Sequence, residues 1–112
     1  MLKNLCEKYF ELFSKKDINS LSKLFSNDIS LIDWEIKEVG KENVIKANKK
    51  IFNSVDSINV IPLKINVNKN VAMCLIKIVI NQDLDDEDHL KVIDVITFND
   101  SNLITEISAY KQ

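Results

Sequence analysis

The sequence predicts an α+β fold in which three helices, all in the N-terminal half, lie to one side of a curved antiparallel sheet. Two observations carry that expectation. Apolar residues recur at spacings of three and four up to Phe52, interrupted by one alternating stretch, and from Ser57 onward every segment reads as strand. Helices gathered at one side of a meandering sheet define this class, and a strongly curved sheet wrapped around them encloses a conical cavity. The 112 residues fit one domain, residues 1–112, with a real core and room for one pocket.

The elements follow in order. Residues 2 to about 15 place Leu2, Leu5, Cys6, Tyr9, Leu12 and Phe13 on one helical stripe. Asp17 is a suitable N-cap for a second helix through Ile18, Leu21, Leu24 and Phe25, with Ser26-Asn27-Asp28 expected as its closing turn. Ile29 to about Ile36 alternates as a short strand, with Ile29, Leu31, Asp33 and Glu35 on one face. Gly40 closes a loop, and Glu42 to about Phe52 returns to helical spacing through Val44, Ile45, Ala47 or Asn48, Ile51 and Phe52.

Four strands complete the chain. Ile58, Val60, Leu63, Ile65 and Val67 alternate on either side of Pro62, which marks a bulge or an edge because it has no amide proton to give a neighbouring strand. Asn68-Lys69-Asn70 is a tight turn. Val71 to Ile80 is apolar on both faces apart from Lys77, so cover is expected on both sides, from helices on one and a partner subunit on the other. Leu90 to Phe98 and Leu103 to Tyr110 are the last two strands.

Composition narrows the function classes. With 46% apolar and 29% charged residues the chain is neither disordered nor fibrous. A net charge of -2, with lysines interleaved among acids, argues against a nucleic-acid surface. No apolar run is long and uncharged enough for a membrane span, and the first residues lack a signal-peptide pattern, so a cytoplasmic protein is expected. Cys6 and Cys74 each sit inside an apolar pattern and read as buried free thiols, which suits a reducing compartment. The acidic run from Asn81 to His89 lacks the glycine and distal glutamate of a calcium loop and reads as a solvated hairpin tip, with His89 alone at its edge. Neither a phosphate-binding glycine loop nor a metal constellation appears, and no cofactor is expected.

Within Leu90–Phe98 one residue stands out. Leu90, Val92, Asp94, Ile96 and Phe98 share a strand face, and an ionised carboxylate between Val92 and Ile96 is costly unless it is paired or protonated. Either that face meets water and Asp94 is ordinarily solvated, or Asp94 is buried and needs a proton or a partner. Taken singly, Tyr9 reads as a core aromatic and Asp33 as a solvent-facing strand end.

Local motifs change that weighting. Tyr9-Phe-Glu-Leu-Phe, then Asp17-Ile and Leu24-Phe25-Ser-Asn-Asp28, resemble the opening helical hairpin of the nuclear transport factor 2-like superfamily, which includes SnoaL-like domains and ketosteroid isomerases. Gly40-Lys-Glu-Asn-Val-Ile resembles the start of that family's third helix. Val92-Ile-Asp-Val-Ile-Thr-Phe-Asn, running on to Ser108-Ala-Tyr110, is similar to the last two strands of the bacterial steroid isomerases.

The resemblance implies a cone-shaped, cystatin-like fold and three site residues: Tyr9 as oxyanion-binding tyrosine, Asp33 as general base, and Asp94 as a second, protonated oxyanion donor. It implies isomerisation of a small apolar unsaturated ketone, and a homodimer. The same scaffold serves cyclases, hydrolases and non-catalytic ligand-binding or dimerisation domains, so fold alone leaves those alternatives open. Phe25 and the stretch Asn48 to Lys50 stand where some family enzymes carry tyrosines that support the catalytic one. Trp34 replaces a usual proline, and Lys111 stands where an aromatic residue can line the steroid pocket.

Overall fold

In the computed structural model, which describes residues 1–112, helix α1 (Leu2–Ser14) buries Cys6, Tyr9, Phe10 and Leu12, one stripe of its surface. Its end is fastened by Ser14, whose Oγ donates to Phe10 O at 2.9 Å and accepts from Val60 N at 2.8 Å, tying the helix to the sheet. Lys16 then takes a left-handed φ of 56°, and its Nζ donates to Phe52 O at 2.8 Å and Val55 O at 2.7 Å. Those oxygens belong to the carbonyls left open where the third helix ends, so one lysine joins the two helical layers.

Helix α2 (Ile18–Leu24) begins at the expected cap, with Asp17 Oδ1 accepting from Ser20 N at 3.2 Å. The chain then departs from expectation. Ser26-Asn27-Asp28 is no turn: strand β1 (Phe25–Ile32) starts directly after α2. Ser26 is buried, with Oγ 2.7 Å from Asp28 Oδ1 and 3.0 Å from the carbonyl of Ile104, and a register shift between Phe25 and Ser30 absorbs the irregularity. β1 also ends four residues before the expected Ile36. Asp33 Oδ1 accepts from the backbone N–H groups of Glu35 at 2.7 Å and Ile36 at 2.6 Å, and this side-chain-made turn sends the chain back as β2 (Lys37–Val39).

Helix α3 (Lys41–Ser54) follows Gly40, whose φ of +94° is open to glycine and strained for other residues. Strands β3 (Ile58–Asn68), β4 (Val71–Ile80), β5 (Asp88–Phe98) and β6 (Ile104–Lys111) form an antiparallel meander. Pro62 is both an edge residue and part of a bulge, since β3 is an outer strand and its register with β4 shifts between Pro62 and Lys64. The six-stranded sheet runs β2-β1-β6-β5-β4-β3. It is mixed instead of wholly antiparallel, because β1 lies parallel to β6.

The helices fill the concave side of this open, curved sheet. There Phe10, Phe25, Val44, Ile76, Ile96 and Ile107 are almost completely enclosed. The two faces of β4 differ within the chain: Ala72, Cys74 and Ile76 are buried on the face toward the helices, whereas on the opposite face Met73 is 54% exposed, Leu75 half-buried and Val79 buried. Across the sheet Leu75, Ile93 and Tyr110 are in register, and this row is apolar and largely open.

Gly40 isolates the backbone contribution to this architecture, because a Cβ added there would meet nothing within 4 Å. Gly40→Ala is expected to lower stability by about 1–3 kcal/mol through dihedral strain alone, measured by urea denaturation. An unchanged midpoint would mean that the turn relaxes freely.

Candidate active site

The structure decides between the two readings of the β5 face: Val92, Asp94, Ile96 and Phe98 are buried and Leu90 is half-buried. Asp94 is 7% exposed. Its neighbours along the strand are large, but its cross-strand partners are Cys74 on β4 and Ala109 on β6, both small. Short side chains on either flank leave room for a carboxyl group on a face that is otherwise filled. Burial pushes the Asp94 carboxyl up to about 7, with a further rise from the negative charge of Asp33. Asp94 therefore stays neutral from the ordinary aspartate range up to about pH 7.

Tyr9 projects from α1 into the same region. Its ring is boxed by Phe10, Phe13 and Phe25, with centroid separations of 5.4, 5.8 and 6.3 Å. Aromatic packing thus holds the ring where Phe25 cannot supply a hydroxyl. Burial raises the phenol well above its ordinary range, and the Asp94 charge raises it further. The proton stays on.

Asp33, at the end of β1, is half-buried. One of its carboxylate oxygens, Oδ1, is held by the two backbone donors of the turn, which leaves Oδ2 as the unengaged one. A cavity of about 200 Å³ is lined by Tyr9 and Asp33 together with Leu31, Ile58, Ile78 and Ala109 among other apolar residues. Tyr9 and Asp33 are thus brought to one cavity. Asp94 is one strand over from its wall, directly across from Ala109. The three acids act electrostatically on one another in sequence: Asp33 on Asp94, and Asp94 on Tyr9.

Three further residues define the space. Trp34 lines the cavity, and Lys111 Nζ lies 5.4 Å from its ring centroid, a cation–π contact between two of the positions that depart from the steroid-isomerase pattern. Asn48 on α3 lines it as well, although it is only 2% exposed, and its Nδ2 is enclosed without a hydrogen-bond partner. Helical spacing allowed either Ala47 or Asn48 to face inward; both do. A polar cleft of about 680 Å³ between β2 and α3 shares Glu35, Ile36 and Ile51 with the cavity and opens to solvent beside it.

Elsewhere, Cys6 and Cys74 are free and wholly buried, and hydrogen bonding with Cys6 together with burial keeps Cys74 a thiol. The acidic β4–β5 tip is organised by Asn81, a residue that the sequence did not mark. Its Oδ1 accepts from Asp56 N at 2.7 Å, and its Nδ2 donates to Asp86 Oδ2 at 2.9 Å. His89 is paired only with Glu87, at 3.0 Å, on the exposed side of that tip. No helix is long and apolar enough to cross a membrane.

Comparison with known proteins agrees with this architecture. The family model of the SnoaL-like domain matches residues 2–104, and the chain belongs to that family, within the nuclear transport factor 2-like superfamily. Among solved structures, a proposed SnoaL-like polyketide cyclase from Shewanella denitrificans OS-217 superposes with a TM-score of 0.87 at 12% identity, covering 99% of this chain and 90% of that one. Nuclear transport factor 2-like proteins of unknown function are similar too. The one from Exiguobacterium sp. 255-15 has a TM-score of 0.84 at 13% identity, covering 96% of this chain and 97% of that one. The one from Cytophaga hutchinsonii ATCC 33406 has 0.82 at 11%, covering 100% and 90%. At these identities the likeness is one of fold. No protein of curated function matches the sequence.

The neutral Asp94 has a measurable consequence. Between the ordinary carboxyl ionisation near 3.8 and its own near 7, the native chain holds a proton that the unfolded chain has released. Stability therefore falls as pH rises through that window and levels off above it, by an amount on the order of 4 kcal/mol. Asp94→Asn, which is neutral at every pH, is expected to flatten this part of the pH–stability curve and to be more stable than the parent at pH 8. A curve that keeps its slope in the variant would show that Asp94 ionises normally.

Proposed function

We propose that this protein is a ketosteroid isomerase-like enzyme that shifts the double bond of a small unsaturated ketone by way of an enolate. The observation that carries this reading is the burial of the Tyr9 hydroxyl and the Asp94 carboxyl, which favours their neutral forms, beside an apolar cavity whose lining includes the Asp33 carboxylate. Donors held in a dry site stabilise an enolate oxygen more than a ketone oxygen, and that difference lowers the barrier. A neutral carboxylic acid kept protonated by its apolar surroundings is the known device for this in ketosteroid isomerases.

In the proposed cycle Asp33 Oδ2 takes a proton from the carbon next to the carbonyl, and the C–H electron pair moves into the enolate. Tyr9 Oη and the Asp94 carboxyl donate hydrogen bonds to the enolate oxygen. Asp33 then returns the proton to the far carbon of the conjugated system, which restores the carbonyl with the double bond moved. No electron acceptor or metal takes part in the balance. The same base and donors would serve an intramolecular ring closure through an enolate, and the proposed cyclase among the structural neighbours favours that second reading.

We also propose that the chain works as a homodimer, joined through the open row of Leu75, Ile93 and Tyr110 with Met73 beside it. A contiguous apolar patch of this kind is uncommon on a monomer, and a two-fold pairing covers it on both copies at once. The buried thiols fit a reducing compartment, and we assign the protein to the cytoplasm on that basis.

Two measurements test these readings. With purified protein and a panel of small β,γ-unsaturated ketones, isomerisation followed by the appearance of conjugated-enone absorbance is expected, and Asp33→Asn should reduce kcat by roughly 10²–10⁴. No turnover of any member, together with no binding of a phenolic enolate mimic, would overturn the catalytic reading. For assembly, light scattering is expected to give twice the chain mass for the parent and the single chain mass for Ile93→Glu, whereas a monomeric parent would refute the dimer.

A further inference from the structure

Asn48 has no structural reason to be polar. It occupies the buried face of α3 with Val44, Ala47 and Phe52, it is 2% exposed, and its Nδ2 is the one enclosed side-chain nitrogen or oxygen in the chain with no hydrogen-bond partner. An unpaired buried amide opposes folding, and an apolar residue of the same shape would remove the penalty. Such a group is accounted for when something outside the protein completes it. Asn48 lines the cavity shared by Tyr9 and Asp33, and the rest of that lining is almost wholly apolar, so the cavity is where the missing partner would sit.

The cavity of about 200 Å³ continues into the polar cleft with which it shares Glu35, Ile36 and Ile51, so it holds water or the reacting end of an organic ligand. A monofunctional ketone seated there would displace water and leave Asn48 unpaired. A ligand with a second oxygen pairs it and is preferred on that account, because a buried polar group left unmatched discriminates strongly against the analogue that lacks its partner.

We infer that Asn48 is a specificity-determining residue that hydrogen-bonds a second oxygen of the substrate, and that the substrate class is a carbonyl compound carrying an additional hydroxyl or carbonyl group. This rests on the assignment of Tyr9 and Asp94 to the first oxygen. The side-chain amide offers either a donor or an acceptor edge, so both kinds of second oxygen fit.

Phenol and its three dihydroxy derivatives, catechol, resorcinol and hydroquinone, serve as probes, with one hydroxyl standing for the enolate oxygen and the other placed at increasing separation from it. Binding is read from the fluorescence of Trp34, the sole tryptophan, which lies in the cavity wall. At least one dihydroxybenzene is expected to bind the parent about tenfold more tightly than phenol, the amount one well-made hydrogen bond supplies. Asn48→Leu is expected to bring that preference below about twofold, and to melt at a higher temperature than the parent because the orphaned amide is gone. Asn48→Ala carries the same binding expectation if leucine disturbs the packing of α3. If phenol binds and Tyr9→Phe weakens it, but no dihydroxybenzene is preferred, or the preference survives both Asn48 variants, the role of Asn48 is overturned and the Tyr9 assignment stands. If phenol binding is absent or indifferent to Tyr9→Phe, the first-oxygen assignment itself fails, and the inference about Asn48 fails with it.

Discussion

Burial of the Asp94 carboxyl is the constraint around which the site is arranged. A charge at that position would be shut away from water by Val92 and Ile96 along the strand, and no cation faces it from Cys74 or Ala109 across the sheet. The protein meets this constraint by keeping the group neutral, which ties three elements together electrostatically. A carboxylate at the end of β1 makes ionisation of Asp94 harder, and Asp94 in turn makes ionisation of Tyr9 on α1 harder. Acids that hold their protons near an apolar cavity are hydrogen-bond donors, and this is the chemical resource the fold offers.

The fold positions that resource with short-range devices. Ser14 pins the end of α1 to β3, and Lys16 closes the end of α3, so the two helices that carry Tyr9 and Asn48 are joined through a few polar contacts. At the cavity mouth the Asp33 side chain makes the turn that ends β1, which fixes its own carboxylate in the act of shaping the chain. The phenylalanines around Tyr9 orient it by packing, where some relatives use hydroxyl groups. Each departure from the steroid-isomerase pattern thus has a local consequence: Phe25 becomes part of an aromatic box, Trp34 and Lys111 become a stacked pair, and Asn48 becomes an unsatisfied polar wall.

Much of this was legible from spacing alone. Period-two alternation placed Asp94 on the face that proves buried, helical spacing put Tyr9 and Phe13 on one stripe, and Pro62 marked both the edge and the bulge. The misreadings share a cause. Ser26-Asn27-Asp28 has turn composition but lies in a strand, because Ser26 reaches the β6 carbonyl of Ile104, a residue 78 positions away. Asp33 to Ile36 continues an alternating pattern but forms a turn, because a carboxylate there captures two backbone donors. Asn81 carried no signal, since its partners come from the link between α3 and β3 and from the acidic tip.

The sequence by itself determined the class of fold, the family, and which strand face would carry an acid among apolar residues, because those follow from the period of side chains along one element. Whether that acid meets water or is sealed from it depended on what the curved sheet enclosed. That is set by contacts between α1, α3 and strands distant in sequence, and no local pattern encodes it. The tertiary structure alone decided that β1 runs parallel to β6, that the convex row through Ile93 stays open, and that Tyr9, Asp33 and Asn48 line one small cavity with Asp94 beside it. Desolvation is a property of the assembled surroundings. The proton on Asp94 therefore belongs to the fold, although the residue belongs to the strand.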